Sequence, residues 1–467
     1  MPTHRIRVAA RPVDALSLFD ARLPEALGAS AGRFYYSAID PTSGTRLSFA
    51  GVGRAGGGHR VLGTAEGAGA AASPRSGALA LLVLPFDPGR TTPRDDAAST
   101  WDGVPLRDVI VPRVGLLSAH GATDLIVSGA GPRTGSMAWL ARQIAAALRS
   151  EASGDAPDEP RLSAARASDA TADGNGAANG THLQPAREST VAARTATARL
   201  SAAQRDEVRL RVRRALDAIS DGAASKVVVS TSLTVVTSQR PDPVSVLRRL
   251  SETEPEAAVF LYEPEPGLAF LGASPERLVS VAGRHVSSVA LAGSAPRGED
   301  RVADQALGEQ LLASSKERSE HALVVDAIRA ELGGLTSALD VPDGPRLKKL
   351  RSIQHLETPV SGVLAEPRTV LELALRLHPT PALAGEPRDA AMRLIRGIEA
   401  AGRGLYGGVI GWTDDRGDGD TSVAIRCVLV RGRAVTAFAG AGIVADSDPE
   451  AEVDEIELKL QAALAAI

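Results

Sequence analysis

From Ser201 to the C-terminus, β-branched strand runs and helical stripes follow one another in no regular order, and that irregularity is the strongest restriction on the fold. Ser201 and Gln204 carry a capping-box pattern ahead of Val208, Val212, Leu216 and Ile219 at helical spacing. Lys226-Val-Val-Val-Ser230 reads as a strand, as do residues 268–271, 278–281 and 285–291, with Gly283 at a turn. A long helix is expected over 301–332, broken near Ser314, and shorter ones over 371–377 and 390–401. Strands are expected over 407–412, 421–430 and 434–438. Hairpins interleaved with helices in this manner point to an α+β fold rather than a regular parallel α/β sheet.

The first 150 residues read as scaffold. Strand-like runs at 33–36, 47–52, 78–84, 109–111 and 124–127 precede a helical stripe over 136–148, and no polar constellation demands chemistry. Residues 151–190 are dominated by Gly, Ala, Ser, Asp and Asn. Such a segment buries too little apolar surface to offset its ordering entropy, so it reads as flexible. By itself that leaves open a linker between two domains or an insertion in one surface loop.

Aromatic residues make up 3% of the chain, so small aliphatic side chains are expected to fill the core. The net charge of −4 gives no global bias towards nucleic acid. A single cysteine, Cys427, excludes an internal disulfide and fits a reducing compartment. Residues 1–18 lack a secretory apolar run, and the longest apolar run, 78–84, is too short to span a bilayer. A soluble, cytoplasmic protein is expected, with no membrane or nucleic-acid partner.

Seven carboxylates lie between Asp446 and Glu457. Ser447 and Pro449 supply helix-start chemistry, and Glu452, Glu455 and Lys459 then share one helical face, leaving Glu450, Asp454 and Glu457 for water. Gly440-Ala-Gly442, just before, lets backbone come close to a ligand. An acidic helix is equally a solubility device. A second acidic face, Glu317 and Glu320 in Ser315-Lys-Glu-Arg-Ser-Glu320-His321, would let the two helices together hold a hard cation such as Mg2+. Lys226 is either an edge lysine reaching solvent or a desolvated general base. Glu276, in Gly272-Ala-Ser-Pro-Glu276, is either a turn carboxylate or an acid presented to a pocket. Arg426, placed in a strand, is a candidate anion clamp, with Lys459 as a second cation.

The order of motifs resembles the chorismate-utilising enzymes. The resemblance runs through Lys226-Val-Val-Val-Ser, Gly272-Ala-Ser-Pro-Glu276, Leu291-Ala-Gly-Ser294, Lys316-Glu-Arg-Ser-Glu-His321, Gln354-His-Leu356, His378-Pro-Thr-Pro-Ala-Leu-Ala-Gly385, Gly404-Leu-Tyr-Gly-Gly408, Ala424-Ile-Arg426 and Ala439-Gly-Ala-Gly-Ile443. It is dense over 200–467 and thinner before, where Phe86-Asp-Pro88 and Trp101 fall in fitting places. It implies one large α+β domain over 1–467, of packed antiparallel sheets flanked by helices. Within it, 1–150 is the scaffold, 151–190 a flexible loop insertion and 200–467 the catalytic part.

The resemblance also implies magnesium-dependent chemistry on chorismate. Glu320 and Glu455 would be the principal metal ligands, with Glu317 and Glu452 beside them. Arg426, Lys459 and the backbone at Gly440 and Gly442 would receive the substrate carboxylates, and Gly293, Ser294, His355, Ala382, Leu383 and Tyr406 would line the pocket. Members that deliver ammonia are similar in having glutamine where this chain has Lys226, so lysine implies activation of water, with Glu276 protonating the departing hydroxyl. Isochorismate is the expected product. Ala382 stands where salicylate synthases place threonine, which makes salicylate formation the alternative, and a non-catalytic chorismate-binding relative is a further one. A monomer without a glutamine amidotransferase subunit is expected. Thr231 departs from the family's usual arginine after the strand serine.

Overall fold

The structure is a computed structural model that describes residues 3–9, 32–39, 46–54, 80–87, 101, 108–110, 112–119, 122–128 and 198–467, except 352, 400 and 415. The helix expected over 136–148 and the segment 151–190 lie outside the described residues. Two antiparallel sheets dominate. The first holds β1 (Thr3–Ala9), β2 (Arg33–Ile39), β3 (Arg46–Arg54), β6 (Pro112–Ala119), β7 (Ala122–Ser128), β8 (Lys226–Val236), β9 (Ala258–Glu265), β10 (Leu268–Ser274), β16 (Gly385–Glu386), β19 (Cys427–Arg431) and β20 (Ala434–Ile443). Its order is β1-β7-β6-β3-β2-β9-β10-β19-β20-β8-β16, so strands of both halves of the chain share it through the β2–β9 pair.

The second sheet runs β13 (Thr336–Asp340), β15 (Ile353–Leu364), β12 (His285–Pro296), β11 (Arg277–Ala282), β18 (Gly419–Val423), β17 (Val409–Thr413), β4 (Ala80–Leu84) and β5 (Asp108–Ile110), with β14 (Arg346–Lys349) also on β15. Helices α1 (Ala202–Ser220), α2 (Pro243–Thr253), α3 (Arg301–Ala313), α4 (Ser315–Gly333), α5 (Val370–Leu377), α6 (Arg388–Ile398) and α7 (Pro449–Leu464) complete the described elements. The α+β expectation holds.

Alternation along the strands sorts the core. Phe34, Tyr36, Phe260, Tyr262 and Phe270 project from the first sheet towards Leu81, Val83 and Ile410 of the second. The opposite faces carry smaller residues such as Ala50, Leu261, Leu271 and Val428, in one cluster with the apolar stripes of the helices. Small aliphatics therefore fill the larger cluster, as expected. Eight of the chain's fourteen aromatic residues, however, gather between the sheets, where flat rings pack two pleated faces.

Local chemistry explains the element ends. Ser201 and Gln204 form a complete capping box on α1. Ser314 ends α3 and caps α4 by accepting from Glu317 N, which is the expected break in the long helix. The cap of α7 is Asp448, not Ser447, because Asp448 accepts from Glu450 N and Ala451 N while Ser447 Oγ turns back to accept from Val444 N. Residues 421–430 are two strands in different sheets rather than one. Between them Arg426 has φ +50°, a left-handed conformation that carries about 1–2 kcal/mol of strain in a non-glycine residue.

Candidate active site

The chain passes between the sheets at two adjacent places. After β10 it crosses through Pro275 and Glu276 into β11, and after β18 it returns through Ala424, Ile425 and Arg426 into β19. Val423 N donates to Glu276 O at 3.0 Å and Ala273 N donates to Arg426 O at 3.2 Å, which ties the two crossings together. Gly272 is required there, since a Cβ would lie 2.6 Å from Arg426 O. A buried carboxyl and a buried guanidinium are thereby presented to one cleft.

All of the candidate catalytic, substrate-binding and metal residues, except Lys226, Glu317 and Glu452, line that cleft, a narrow space of about 70 Å³. A larger trough of about 860 Å³ lies over β11, β12, β13 and β15. Most of its charged groups are paired: Arg277 forks onto Asp420, Arg346 and Lys348 pair with Glu357, and Lys348 also meets Glu256. It offers no reactive constellation.

One wall of the cleft is an anion site in the making. Arg426 makes no ion pair with a carboxylate among the described residues; its Nη2 donates to His355 Nε2 at 3.0 Å. A guanidinium only donates, so His355 Nε2 must be the unprotonated nitrogen and Nδ1 carries the hydrogen towards Gly293 O at 3.2 Å. Burial, then the charges of Arg426 and Lys459, hold His355 well below its usual pKa, so this neutral tautomer persists. Gly293, at φ +80°, passes so close to α4 that a Cβ would meet Glu317 Oε2 at 3.1 Å. Lys459 Nζ donates to Gly440 O at 3.0 Å and lies 2.5 Å from Glu455 Oε1. Tyr406 stacks on Phe438 at 5.7 Å, and a Cβ on Gly440 would come within 3.1 Å of its hydroxyl.

The opposite wall holds the acid. Glu276 is 3% exposed, and burial lifts its pKa to about 8 against the pull of Lys226. Thr380 Oγ1, 3.5 Å away, is its side-chain hydrogen-bond partner. At neutral pH this carboxyl is protonated and able to give a proton. Lys226 opens β8 as expected, but its side chain is fully buried behind the cleft lining. Its Nζ lies 2.8 Å from Glu320 Oε1 without well-directed hydrogen-bond geometry, and its Cε is where a Cβ on Gly442 would collide. The bland reading of an edge lysine reaching solvent is therefore wrong: β16 and β20 flank it, and the side chain runs inward.

The two acidic helix faces do meet. Burial, then repulsion from Glu320, pushes Glu317 up to about 7, and burial followed by repulsion from Glu455 raises Glu452. Glu455 is instead held low, because Lys459 and Lys316 outweigh its burial. A lysine nitrogen lies beside each carboxylate: Lys226 at Glu320, Lys459 at Glu455, and Lys316 at Glu452 (2.6 Å) and Glu317 (3.5 Å). As the side chains stand, no three His, Cys, Asp or Glu residues among the described ones are grouped tightly enough to hold one ion. The donor set nevertheless suits a hard divalent cation: all oxygen, half-buried to buried, mutually repelling, and cradled by glycines 293 and 442.

Several residues of the site escaped the sequence reading. Thr380, Lys316 and the pair Glu399–Arg403 each fall inside or beside a quoted motif, but nothing in their spacing distinguished them. Glu457, expected in water, is 5% exposed and accepts from Leu200 N and Arg205 Nη1. Trp101 sits under Gly404 and stacks on Phe438 at 5.0 Å, so the N-terminal half supplies part of the wall behind Tyr406.

Comparison with known proteins agrees with this arrangement. A family model described as chorismate binding enzyme matches residues 175–467. The isochorismate synthase DhbC of Bacillus subtilis is 42% identical over 266 residues, 55% of this chain and 66% of that protein, just under two thirds of its length. The crystal structure of putative 2,3-dihydroxybenzoate-specific isochorismate synthase, DhbC from Bacillus anthracis, superposes with TM-score 0.66 at 27% identity, over 93% of this chain and 96% of that one. The menaquinone-specific isochorismate synthase MenF from Escherichia coli gives TM-score 0.71 at 23% identity over 99% and 94%, a likeness of fold. With well over half its length matched by the family model, the chain belongs to the chorismate-binding enzymes.

Proposed function

We propose that the protein is an isochorismate synthase that needs Mg2+. The observation that carries this reading is a carboxyl held protonated by burial, Glu276, facing a cleft whose other groups suit anions, with the inward-facing lysine Lys226 buried behind its lining. Arg426 and Lys459 bind the two carboxylates of chorismate, and Tyr406 and Leu383 enclose its ring. A bound Mg2+, held by Glu320 and Glu455 with Glu317 and Glu452 beside them, would supply positive charge for the ring carboxylate. Lys226, reacting as the free amine, takes a proton from water as the water oxygen bonds to C2, the ring double bonds shift, and the C4–O bond breaks with the proton of Glu276 passing to the leaving hydroxyl; the proton taken by Lys226 then returns to Glu276 and resets the pair. One water enters and one leaves, so the conversion is an isomerisation.

Lysine at 226, rather than glutamine, supports water over ammonia as the nucleophile, and hence an enzyme without an amidotransferase subunit. Both halves of the chain acting as one domain also belongs to this reading, supported by the β2–β9 pair. So do a monomeric state and a cytoplasmic location. No described helix is long and apolar enough to cross a membrane. One similar structure is named menaquinone-specific and another 2,3-dihydroxybenzoate-specific, and on this reading the product feeds menaquinone or siderophore synthesis.

Incubation of the protein with chorismate and Mg2+, followed by chromatographic resolution of products, is expected to give isochorismate. Lys226→Gln is expected to remove that activity. Salicylate and pyruvate as the main products would assign a salicylate synthase instead, and binding without turnover a non-catalytic relative.

A further inference from the structure

Strand β8, which carries Lys226, lacks a full neighbour on one side. Its β20 edge is paired from Val227 to Val236, but its other edge meets β16 for only two residues, Gly385 against Val227 and Glu386 against Lys226. Beyond that, Val228 N still reaches Ala384 O at 2.9 Å, and no described strand follows. Side chains take over. Arg403 Nη2 donates to Val228 O at 2.8 Å, Ser230 N donates to Glu399 Oε1 at 2.9 Å, and Arg211 Nη1 donates to Ser230 O at 2.9 Å.

Glu399 and Arg403 are themselves a buried, forked ion pair, with Nε at 2.9 Å and Nη2 at 2.6 Å from the carboxylate and side chains 4% and 2% exposed. Arg403 Nη1 donates to Leu383 O at 2.6 Å, and its guanidinium lies 4.3 Å from the Phe86 ring centroid. Leu383 ends a tight turn in which Leu383 N and Ala384 N both donate to Thr380 O, and Thr380 Oγ1 in turn donates to Glu276. The strand of the lysine and the turn behind the acid are thus fastened to one guanidinium. A buried ion pair contributes little net stability against an apolar replacement, which makes its connections the better account of it.

We infer that Glu399 and Arg403 are a positioning pair: they stand in for the missing strand beside Lys226 and lock its spacing to the Thr380–Leu383 turn that holds Glu276. Neither touches the reacting atoms, and the inference rests on the roles assigned above to Lys226 and Glu276. Misplacing catalytic groups by about 1 Å lowers turnover about 100-fold without removing the binding groups.

The test compares Glu399→Gln/Arg403→Met, which removes both charges together, with Arg403→Lys, which keeps the charge and loses the fork. In both, kcat is expected to fall about 10- to 100-fold while KM for chorismate stays within about threefold. Amide hydrogen exchange read by mass spectrometry is expected to lose protection together in residues 226–230 and 380–385, and not in β12. Unchanged kcat, or a fall in kcat matched by the loss of folded protein, overturns the inference, as does loss of protection in only one segment. If the double variant fails to fold, Arg403→Lys decides by the same readings. Should the unmodified protein make no isochorismate, the functional reading fails on that control, and the exchange pattern alone decides the clamp.

Discussion

Helix α7 shows two faces built from the same residue type. On one, Glu450, Asp454 and Glu457 meet Arg205 and Arg209 of α1, and the hydrogen bonds of those arginines hold Glu450 below its usual range. On the other, Glu452 and Glu455 meet Glu317 and Glu320 of α4, with lysines distributed among them. On the first face Arg205 reaches all three carboxylates and Arg209 adds a second contact to Glu450, which docks the helix. The second gathers negative charge in a buried cleft and raises the proton affinity of two members, an arrangement that favours a further cation. Glu450 on the docking face is drawn below its usual range by arginines, whereas Glu317 and Glu452 on the inner face stay raised although Lys316 lies beside them.

Neutralising the inner face should produce the largest effect. Glu320→Gln or Glu455→Gln is expected to lower turnover on the order of 10⁴-fold, since a bound cation contributes several kcal/mol of charge stabilisation. Calorimetric titration with Mg2+ should lose its heat signal in the same variants, and chelation of Mg2+ from the unmodified protein should stop turnover until the metal is returned. Retained activity in both variants would erase the distinction between the faces.

Glu276 sharpens the comparison, being an acid without a cationic partner in contact. Glu276→Gln is expected to lower kcat by about 10²- to 10³-fold. In the unmodified enzyme kcat/KM should fall, with one proton's dependence, as pH rises past about 8, where this carboxyl ionises. Stability follows the same proton. The folded state holds it up to about pH 8 and the unfolded chain only to about 4, so between these values the folded protein binds more protons. Stability therefore falls as pH rises through that window. The glutamine variant, which has no proton to lose, should unfold at a higher temperature than the parent at pH 9 and show no such advantage at pH 4. A parent whose melting temperature is flat over this range would place Glu276 in a wetter setting.

Much of this was legible because strand and helix periodicity is local. The C-terminal strands, the break at Ser314 and the shared face of Glu452, Glu455 and Lys459 all follow from spacing and capping chemistry. The site residues were legible only as motifs in a known order; spacing alone left Lys226, Glu276 and the acidic helices open between a bland and a functional reading. What escaped depends on tertiary neighbours. Arg426 was read within a strand because its flanks are β-branched, whereas the change of sheet that bends it is decided by which strands β18 and β19 pair with. Strands β9 and β15 went unassigned for a related reason: buried along most of their length, their runs show no clean alternation. Arg403 was invisible because it supports a strand 175 residues away in sequence.

The outer face should yield the smallest effect, and one of a different kind. Glu457 is its most buried member, accepting from Leu200 N at 2.9 Å and from Arg205 Nη1 at 2.7 Å. Glutamine at this position keeps an oxygen for Leu200 N and loses the charge opposite Arg205, which still has Asp454 and Glu450. Glu457→Gln should therefore lower stability by about 1–2 kcal/mol, read as a shift of the denaturant midpoint at constant slope. Its kcat and KM should remain within about twofold of the parent, since additivity holds for a face that shares no partner with the cleft. A loss of turnover without a loss of stability would mean that the docking arginines act on the inner carboxylates through the helix, and the two faces would then be one device.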